Sequence, residues 1–469
     1  MFLRRLFCFL LAFCILILSS CQTAIPVSPA SSAETQPTTA ANAVRTCDFI
    51  PGKSVPAQIS PDSTQTAVNP LSLQMTFSNT AVDIATTARQ LDLYQRVDAD
   101  IINHYVYGDY NGSDWKAISL KYKQLIQKGL NQADFYLAIK QMVNALDGGK
   151  QSYFLNPDDQ AKLNAATPSS EFAGIGGFSS PINDQGKTIN VFNWVYPASP
   201  ADKAGIKAHD VLLNVDGGPV MAPDGSQRIF GQAGSAVVVT IQPPGKSPVD
   251  IKLVRNKISQ TSFVDDCLVP GTHIGYIRWM DLNDPTVLNQ TVDALNQMSG
   301  SSLLQGLIID KRLSAGSDNA ILLSLLSMFM GGELGSFVAV RSVNNPTPIP
   351  FIANPVIDAS GSLNEPLIVI QDQTTGDAAL FGGVLQLAKR ARIVGQPASG
   401  GAFTHYVDDF SDGSTLVLAD MTFQPNGRTP GYWDKTGVAP DVTVYGRWDQ
   451  FSEANDPYIA KAIDLLTEK

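Results

Sequence analysis

The chain is short of charge, of cysteine and of basic side chains. Charged residues make up 16% of its 469 positions, and 33 basic groups face 43 acidic ones, for a net charge of −10. A nucleic-acid surface needs a basic stripe, so nucleic acid is excluded as a partner. Five cysteines and four histidines are present, and none stands at a metal-ligand spacing, so no metal and no cofactor is expected. The apolar run Leu6–Leu18 falls short of the roughly 20 residues that cross a bilayer. What remains is an acidic chain with 44% apolar residues, enough for a folded body of two or three domains.

The N-terminus reads as a targeting segment over residues 1–21. Arg4 and Arg5 precede the apolar run, and Leu18-Ser19-Ser20-Cys21 follows it. This order resembles the bacterial lipobox, in which the cysteine takes lipid and becomes the new N-terminus. The alternative is a cleaved secretory signal with an incidental cysteine. Both place the body outside the cytoplasm, and the lipobox adds membrane anchoring through lipid on Cys21. Residues 22–68 begin rich in Ala, Ser, Thr and Pro and read as a disordered tether. Cys8 and Cys14 leave with the signal, so Cys47 and Cys267 remain, and in an oxidising compartment a disulfide between them is expected.

Three further regions follow. Residues 69–165 carry apolar residues at helical spacing over 81–105, 115–127 and 132–146, with Asn131 as an N-cap. Residues 166–257 are short-stranded and punctuated by Gly and Pro. Residues 258–448 read as an α/β unit with buried strands at Ile274–Arg278 and Gly306–Asp310 and helices at Thr286–Met298 and Asn319–Phe329. A short helix closes the chain within 449–469.

The densest chemical signal is Pro366–Gly401. Leu367–Ile370 reads as a buried strand, Gln371–Gly376 as a polar turn, and Asp377–Arg390 as a helix. Such a unit places turn residues where N–H groups and a helix dipole stabilise an oxyanion. With Arg390–Pro397 this stretch resembles the carboxyl-terminal processing, or tail-specific, peptidases, which carry S-A-S-A-S-E at the turn and a lysine base downstream. In the middle region, Gly174-Ile175-Gly176-Gly177-Phe178 resembles the carboxylate loop of a PDZ domain. Ser199–Gly217 resembles its S-P-A-x-x-A-G-I-x-x-G-D run, with His209 where glycine is usual. Gly306–Asp310 and its tail resemble G-x-I-I-D-L-R-x-N-x-G-G, with Ser314 and Ser317 in the asparagine and second glycine slots. Gly437–Val444 matches the closing G-V-x-P-D-V-x-V.

The resemblance implies an α/β tail-protease domain of the ClpP/crotonase-like kind, an inserted β-rich PDZ domain and an N-terminal helical segment. It implies polypeptide C-termini or unfolded protein segments as partners, with Gly174, Ile175, Gly176 and Gly177 as the peptide-binding loop. Carried over residue by residue, the nucleophile slot falls on Gly376, the lysine slot on Gly401, and the histidine slot of other branches on Gln151. None of the three can perform its role. Three readings follow: a non-catalytic peptide binder, a serine/threonine-type endopeptidase using Thr374 or Thr375 with His405 as spare base, or a structural lipoprotein. Thr375 also reads as a helix N-cap beside Asp377.

Overall fold

The structure is a computed structural model. It describes residues 44–468 except 51, 56–81, 149–150, 167–170, 185–186, 223–225, 260–263, 301–302, 315, 317, 342–346, 356–363, 374, 376–378 and 399. The lipobox with Cys21, Thr374, Gly376 and Ser317 lie outside the described residues.

The helical segment holds α1 (Ile84–His104), α2 (Trp115–Ile126) and α3 (Gln132–Asn144). Each begins at a side-chain cap: Asp83 accepts from Thr86 N, Asp114 from Ala117 N, and Asn131 from Asp134 N. Such caps fill donors that the first helical turn leaves orphaned. Leu93, Val97 and Ile101 form the buried stripe of α1. A short strand β1 (Tyr153–Leu155) and α4 (Pro157–Ala166) follow.

The PDZ domain holds β2 (Glu171–Gly174), β3 (Gly177–Asp184), β4 (Lys187–Val195), α5 (Pro200–Lys203), β5 (Val211–Val215), β6 (Ala236–Gln242), β7 (Val249–Val254) and β8 (Asn256–Ser259). Strands β3 to β7 form one antiparallel sheet in chain order, and β2 pairs with β8. Its own core includes Ile175, Phe192, Ile206, Val239 and Ile241.

The α/β domain holds β9 (Val264–Leu268), β10 (Ile274–Trp279), α6 (Thr286–Ser299), β11 (Gly306–Asp310), α7 (Asn319–Ser327), β12 (Gly332–Val338), β13 (Ile349–Ala353), β14 (Leu367–Gln371), α8 (Ala379–Leu387), β15 (Ala391–Gly395), β16 (Phe403–Asp409), β17 (Thr415–Pro425), β18 (Val442–Thr443) and α9 (Pro457–Thr467). Its main sheet runs β18-β15-β14-β11-β10-β9, parallel except at β9. A parallel sheet is covered on both faces, which explains the unbroken apolar runs of β11 and β14. Ile309, Val369 and Ile393 pack with α6–α8 on one face; Ile308, Ile370 and Val394 pack with α9 on the other. A second sheet, β1-β17-β12-β13 with β16 on β17, carries the helical segment, whose core shares Phe403, Leu416 and Leu418.

Two expectations need correcting. The tether expected over 22–68 is not free throughout, because residues 44–50 within it dock along β9. Cys47 N donates to Leu268 O at 3.0 Å, Leu268 N donates to Arg45 O at 2.9 Å, and Phe49 is buried. Cys47 and Cys267 are joined by a disulfide, with Cα atoms 5.1 Å apart. The helix expected to reach Arg390 ends at Leu387, because Lys389 turns to φ +57° and Arg390 N donates to Leu385 O at 2.8 Å.

Candidate functional site

The turn after β14 is drawn tight by its own side chains. Thr375 is 3% exposed, and its hydroxyl accepts from Asp372 N at 3.1 Å while its own N–H donates to Asp372 O. The hydroxyl therefore closes the turn backwards onto Asp372, ahead of the helix at Ala379–Leu387. Gln371, at the last position of β14, is buried and donates to Gln396 O at 3.1 Å and Val438 O at 2.7 Å. These bonds tie the turn to the loop after β15. At Gly395, where φ is +133°, a Cβ would lie 1.9 Å from Gln371 O. Only glycine permits that crossing.

Gly401 lies in the same loop system and is buried. A Cβ there would fall 2.0 Å from Asp434 Oδ1 and 3.0 Å from Asp434 Cα. The Asp434 carboxylate accepts from Thr422 Oγ1 at 2.9 and 2.8 Å and from the Tyr107 hydroxyl. Burial raises its pKa. The space beside position 401, expected from the resemblance to be the lysine slot, is thus filled by a carboxylate anchored to β17 and to the helical segment. Asp434 carries no motif, and only the packing around Gly401 reveals it.

Gln151 is half-buried before β1, and the next residue, Ser152, accepts from Ala419 N at 3.2 Å. His405 stands opposite Ala419 in the β16–β17 ladder and is exposed. Gln151 and His405 therefore both come near Ala419 on β17.

Lys311 was not anticipated either. It follows Asp310 at the carboxyl end of β11, its side chain is fully buried, and Nζ has no hydrogen-bond partner among the described residues. Nζ lies 5.1 Å from the Trp279 ring centroid. Burial lowers its pKa to about 7. In the same loop Ser314 Oγ donates to Trp279 O at 2.7 Å, a structural bond in the asparagine slot.

The PDZ loop keeps its groove geometry. Gly176 sits at φ +82°, and a Cβ there would meet Ser199 Cβ at 2.2 Å. Gly177 faces Val195, and Tyr196 N donates to Gly176 O at 2.8 Å. Gly177 is therefore in a non-hydrogen-bonded pair, and its N–H points to the outer side of β3, the edge strand of the sheet. Ile175 is buried, and its carbonyl accepts from Ala201 N at 2.9 Å. One residue past Phe178 the edge is engaged: Gln227 Nε2 donates to Ser179 O at 2.7 Å, and Ser179 Oγ donates to Gln227 Oε1 at 2.9 Å. Phe172 packs edge to face on Phe178 and Phe230 beside it, and those two rings meet at a tilt. Between Gly217 and Ala236 no helix is found among the described residues.

Comparison with known proteins agrees with this anatomy. Residues 273–444 match peptidase family S41, 191–243 match the PDZ domain, and 94–144 match the tricorn protease C1 domain. The carboxyl-terminal-processing protease of Synechocystis is 27% identical over 411 residues, covering 83% of this chain and 89% of that protein. The chloroplastic C-terminal processing peptidase of Tetradesmus obliquus is 28% identical over 380 residues, covering 77% and 78%. The solved photosystem II D1 C-terminal processing protease superposes with a TM-score of 0.52 at 26% identity, over 76% of this chain and 93% of that one. With the strand–turn–helix unit, the PDZ loop and the domain order in place, the chain belongs to the carboxyl-terminal processing peptidase family.

Proposed function

We propose that this protein is a non-catalytic, membrane-anchored lipoprotein that holds polypeptide C-termini or unfolded segments without cutting them. One observation carries the reading: Asp434 fills the space that any side chain at position 401 would need. A lysine base there would require Asp434 to leave its bonds to Thr422 and Tyr107. The sequence supports the same conclusion at position 376, where glycine offers no atom to attack a carbonyl. The hydroxyl of Thr375 is turned into a hydrogen bond with Asp372 N, which does not favour the endopeptidase reading.

Capture of chain ends is supported by the outward N–H of Gly177 on an edge strand and by relatives named as processors of carboxyl termini. The side-chain bonds of Gln227 to Ser179 compete with an added strand. Each such bond is worth about 1 kcal/mol net, so a peptide making several main-chain bonds displaces them. Anchoring rests on the lipobox at Cys21, joined by residues 22–43 to the docked segment that begins at Val44.

The test is binding of labelled peptides ending in an apolar residue, beside their amidated twins, to the full chain. Preference for the free carboxylate by tenfold or more is expected. Equal affinity for both ends the carboxylate-capture reading. Recovery of the protein in the membrane fraction, lost in Cys21→Ser, checks the anchor.

A further inference from the structure

The PDZ domain is fastened to the α/β domain by hydrogen bonds centred on one pair of rings. His209 Nδ1 donates to Trp448 O at 2.8 Å, Trp448 Nε1 donates to Phe192 O at 3.1 Å, and Arg278 Nη2 donates to Asn193 O at 2.8 Å. His209, Phe192 and Asn193 belong to the PDZ domain, Trp448 and Arg278 to the α/β domain. The rings of His209 and Trp448 stack with centroids 3.8 Å apart, and Phe451 meets the same imidazole at 4.8 Å.

His209 stands where the PDZ pattern has glycine, and its φ is +76°. A non-glycine residue holds that conformation only where its surroundings fix it. A glycine would keep the backbone path and lose both the stack and the bond to Trp448 O. The imidazole itself is therefore part of the fastening.

The bond also sets the ring's protonation. A carbonyl only accepts, so Nδ1 carries the hydrogen and Nε2 the lone pair. No acceptor meets Nε2 among the described residues. A second proton would go there and place an imidazolium against Trp448. That indole already has the guanidinium carbons of Arg278 and Arg312 at 5.7 and 5.1 Å from its ring. The carboxylates around the joint are engaged elsewhere. Asp310 and Asp456 accept from Arg312 at 2.5 and 2.7 Å, and Asp310 also accepts from the Tyr276 hydroxyl at 2.9 Å. Asp265 and Glu453 pair with Arg45 at 2.5 and 3.9 Å. Asp210 accepts from Lys207 N at 3.0 Å, and Asp449 pairs with Arg447 at 2.6 Å. Asp48 and the Lys207 side chain are exposed. Burial, helped by the two guanidinium groups, pushes the His209 pKa down to about 3, against the opposing pull of Trp448 O and Asp310.

We propose that His209 is a proton-operated latch: neutral, it clamps the PDZ domain onto the α/β domain; protonated, it releases the clamp. In the released form the imidazole meets water and returns to its ordinary pKa of 6.5. The released form binds the proton more tightly, so the clamped form is fully favoured above pH 6.5 and loses ground as pH falls toward 3. The ratio of released to clamped form should rise about tenfold per pH unit in this window, and about a hundredfold from pH 7.5 to pH 4.5. The latch does not depend on peptide capture at Gly174–Gly177.

Single-molecule energy transfer between the two domains tests it. Dyes go on the exposed sites Lys246→Cys and Lys389→Cys in the full chain, with Cys8, Cys14 and Cys21 replaced by serine and the Cys47–Cys267 disulfide kept. One transfer efficiency is expected at pH 7.5, with a second population growing toward pH 4.5. His209→Asn keeps an N–H for Trp448 O, tolerates the positive φ and does not titrate, so it should stay clamped across the range. His209→Gly should be released already at pH 7.5 and marks the position of the second population. No second population in the wild-type chain at pH 4.5 overturns the proposal, as does an equal pH response in His209→Asn. Hydrogen exchange of β11 in the same samples separates release from acid unfolding. Protection that holds at pH 4.5 supports the latch, and protection lost in step with the transfer change overturns it.

Discussion

Replacing Lys311 with leucine should stabilise the protein, and by an amount that depends on pH. Lys311 is fully buried, and its ammonium has no hydrogen-bond partner among the described residues. Its folded pKa is about 7 against an ordinary 10.5. A tenfold loss of proton affinity corresponds to about 1.36 kcal/mol between the charged and neutral forms. The folded state binds its proton more weakly than the unfolded one, so stability rises with pH between the two pKa values. Below pH 7 the full cost applies, about 5 kcal/mol. At pH 9 the folded lysine is neutral while the unfolded one is still charged, and about 2 kcal/mol remains. The face of Trp279, 5.1 Å away, returns only about 1 kcal/mol, too little to cancel the burial. Urea unfolding of wild type and Lys311→Leu at pH 6 and pH 9 reads the difference directly. The stability gap between them should close by about 3 kcal/mol from pH 6 to pH 9. A gap that does not change with pH refutes a charged, unpaired Lys311 in the folded state.

Three other outcomes follow from the same geometry. Gly401→Ala should destabilise by about 1–3 kcal/mol, because its methyl overlaps Asp434, and Asp434→Gly should relieve part of that loss; thermal unfolding of both single variants and the double variant measures the coupling. Gln227→Ala removes the side chain bonded to Ser179, so free-ended peptides should bind about five- to tenfold more tightly by fluorescence anisotropy, as expected for about 1 kcal/mol of competition. Cys47→Ser opens a link between residues 220 apart and should cost about 2–5 kcal/mol in unfolding experiments under oxidising conditions.

The parts legible in the sequence were those written in periodicity and local chemistry. The apolar strands at Gly306–Asp310 and Leu367–Ile370 could be read because a parallel sheet buried on both faces demands unbroken runs. Asn131 could be read as a cap because its side chain is the right length for the N–H three residues on. The α8 boundary could not, because Lys389 leaves the helix through a positive φ that nothing in its identity announces. Residues 44–50 read as tether because their partners, Leu268 and Ala454, lie more than 200 residues away. Asp434 and Gln227 sit in unremarkable loops and matter only through what they touch. His209 was visible as a departure from the PDZ pattern, but its meaning required Trp448, which arrives from the far end of the chain.

On the proposed function, the stretch from β14 to α8 keeps the peptidase layout but lacks a nucleophile at Gly376 and a base at Gly401. Incubation of the purified wild-type chain with unfolded casein, beside Gly376→Ser combined with Gly401→Lys and Asp434→Gly, tests this most directly. The wild-type chain should leave the substrate intact over hours, and any new cleavage should arise only in the triple variant. Hydrolysis by the wild-type chain, blocked by an acylating inhibitor that labels it, would contradict the account.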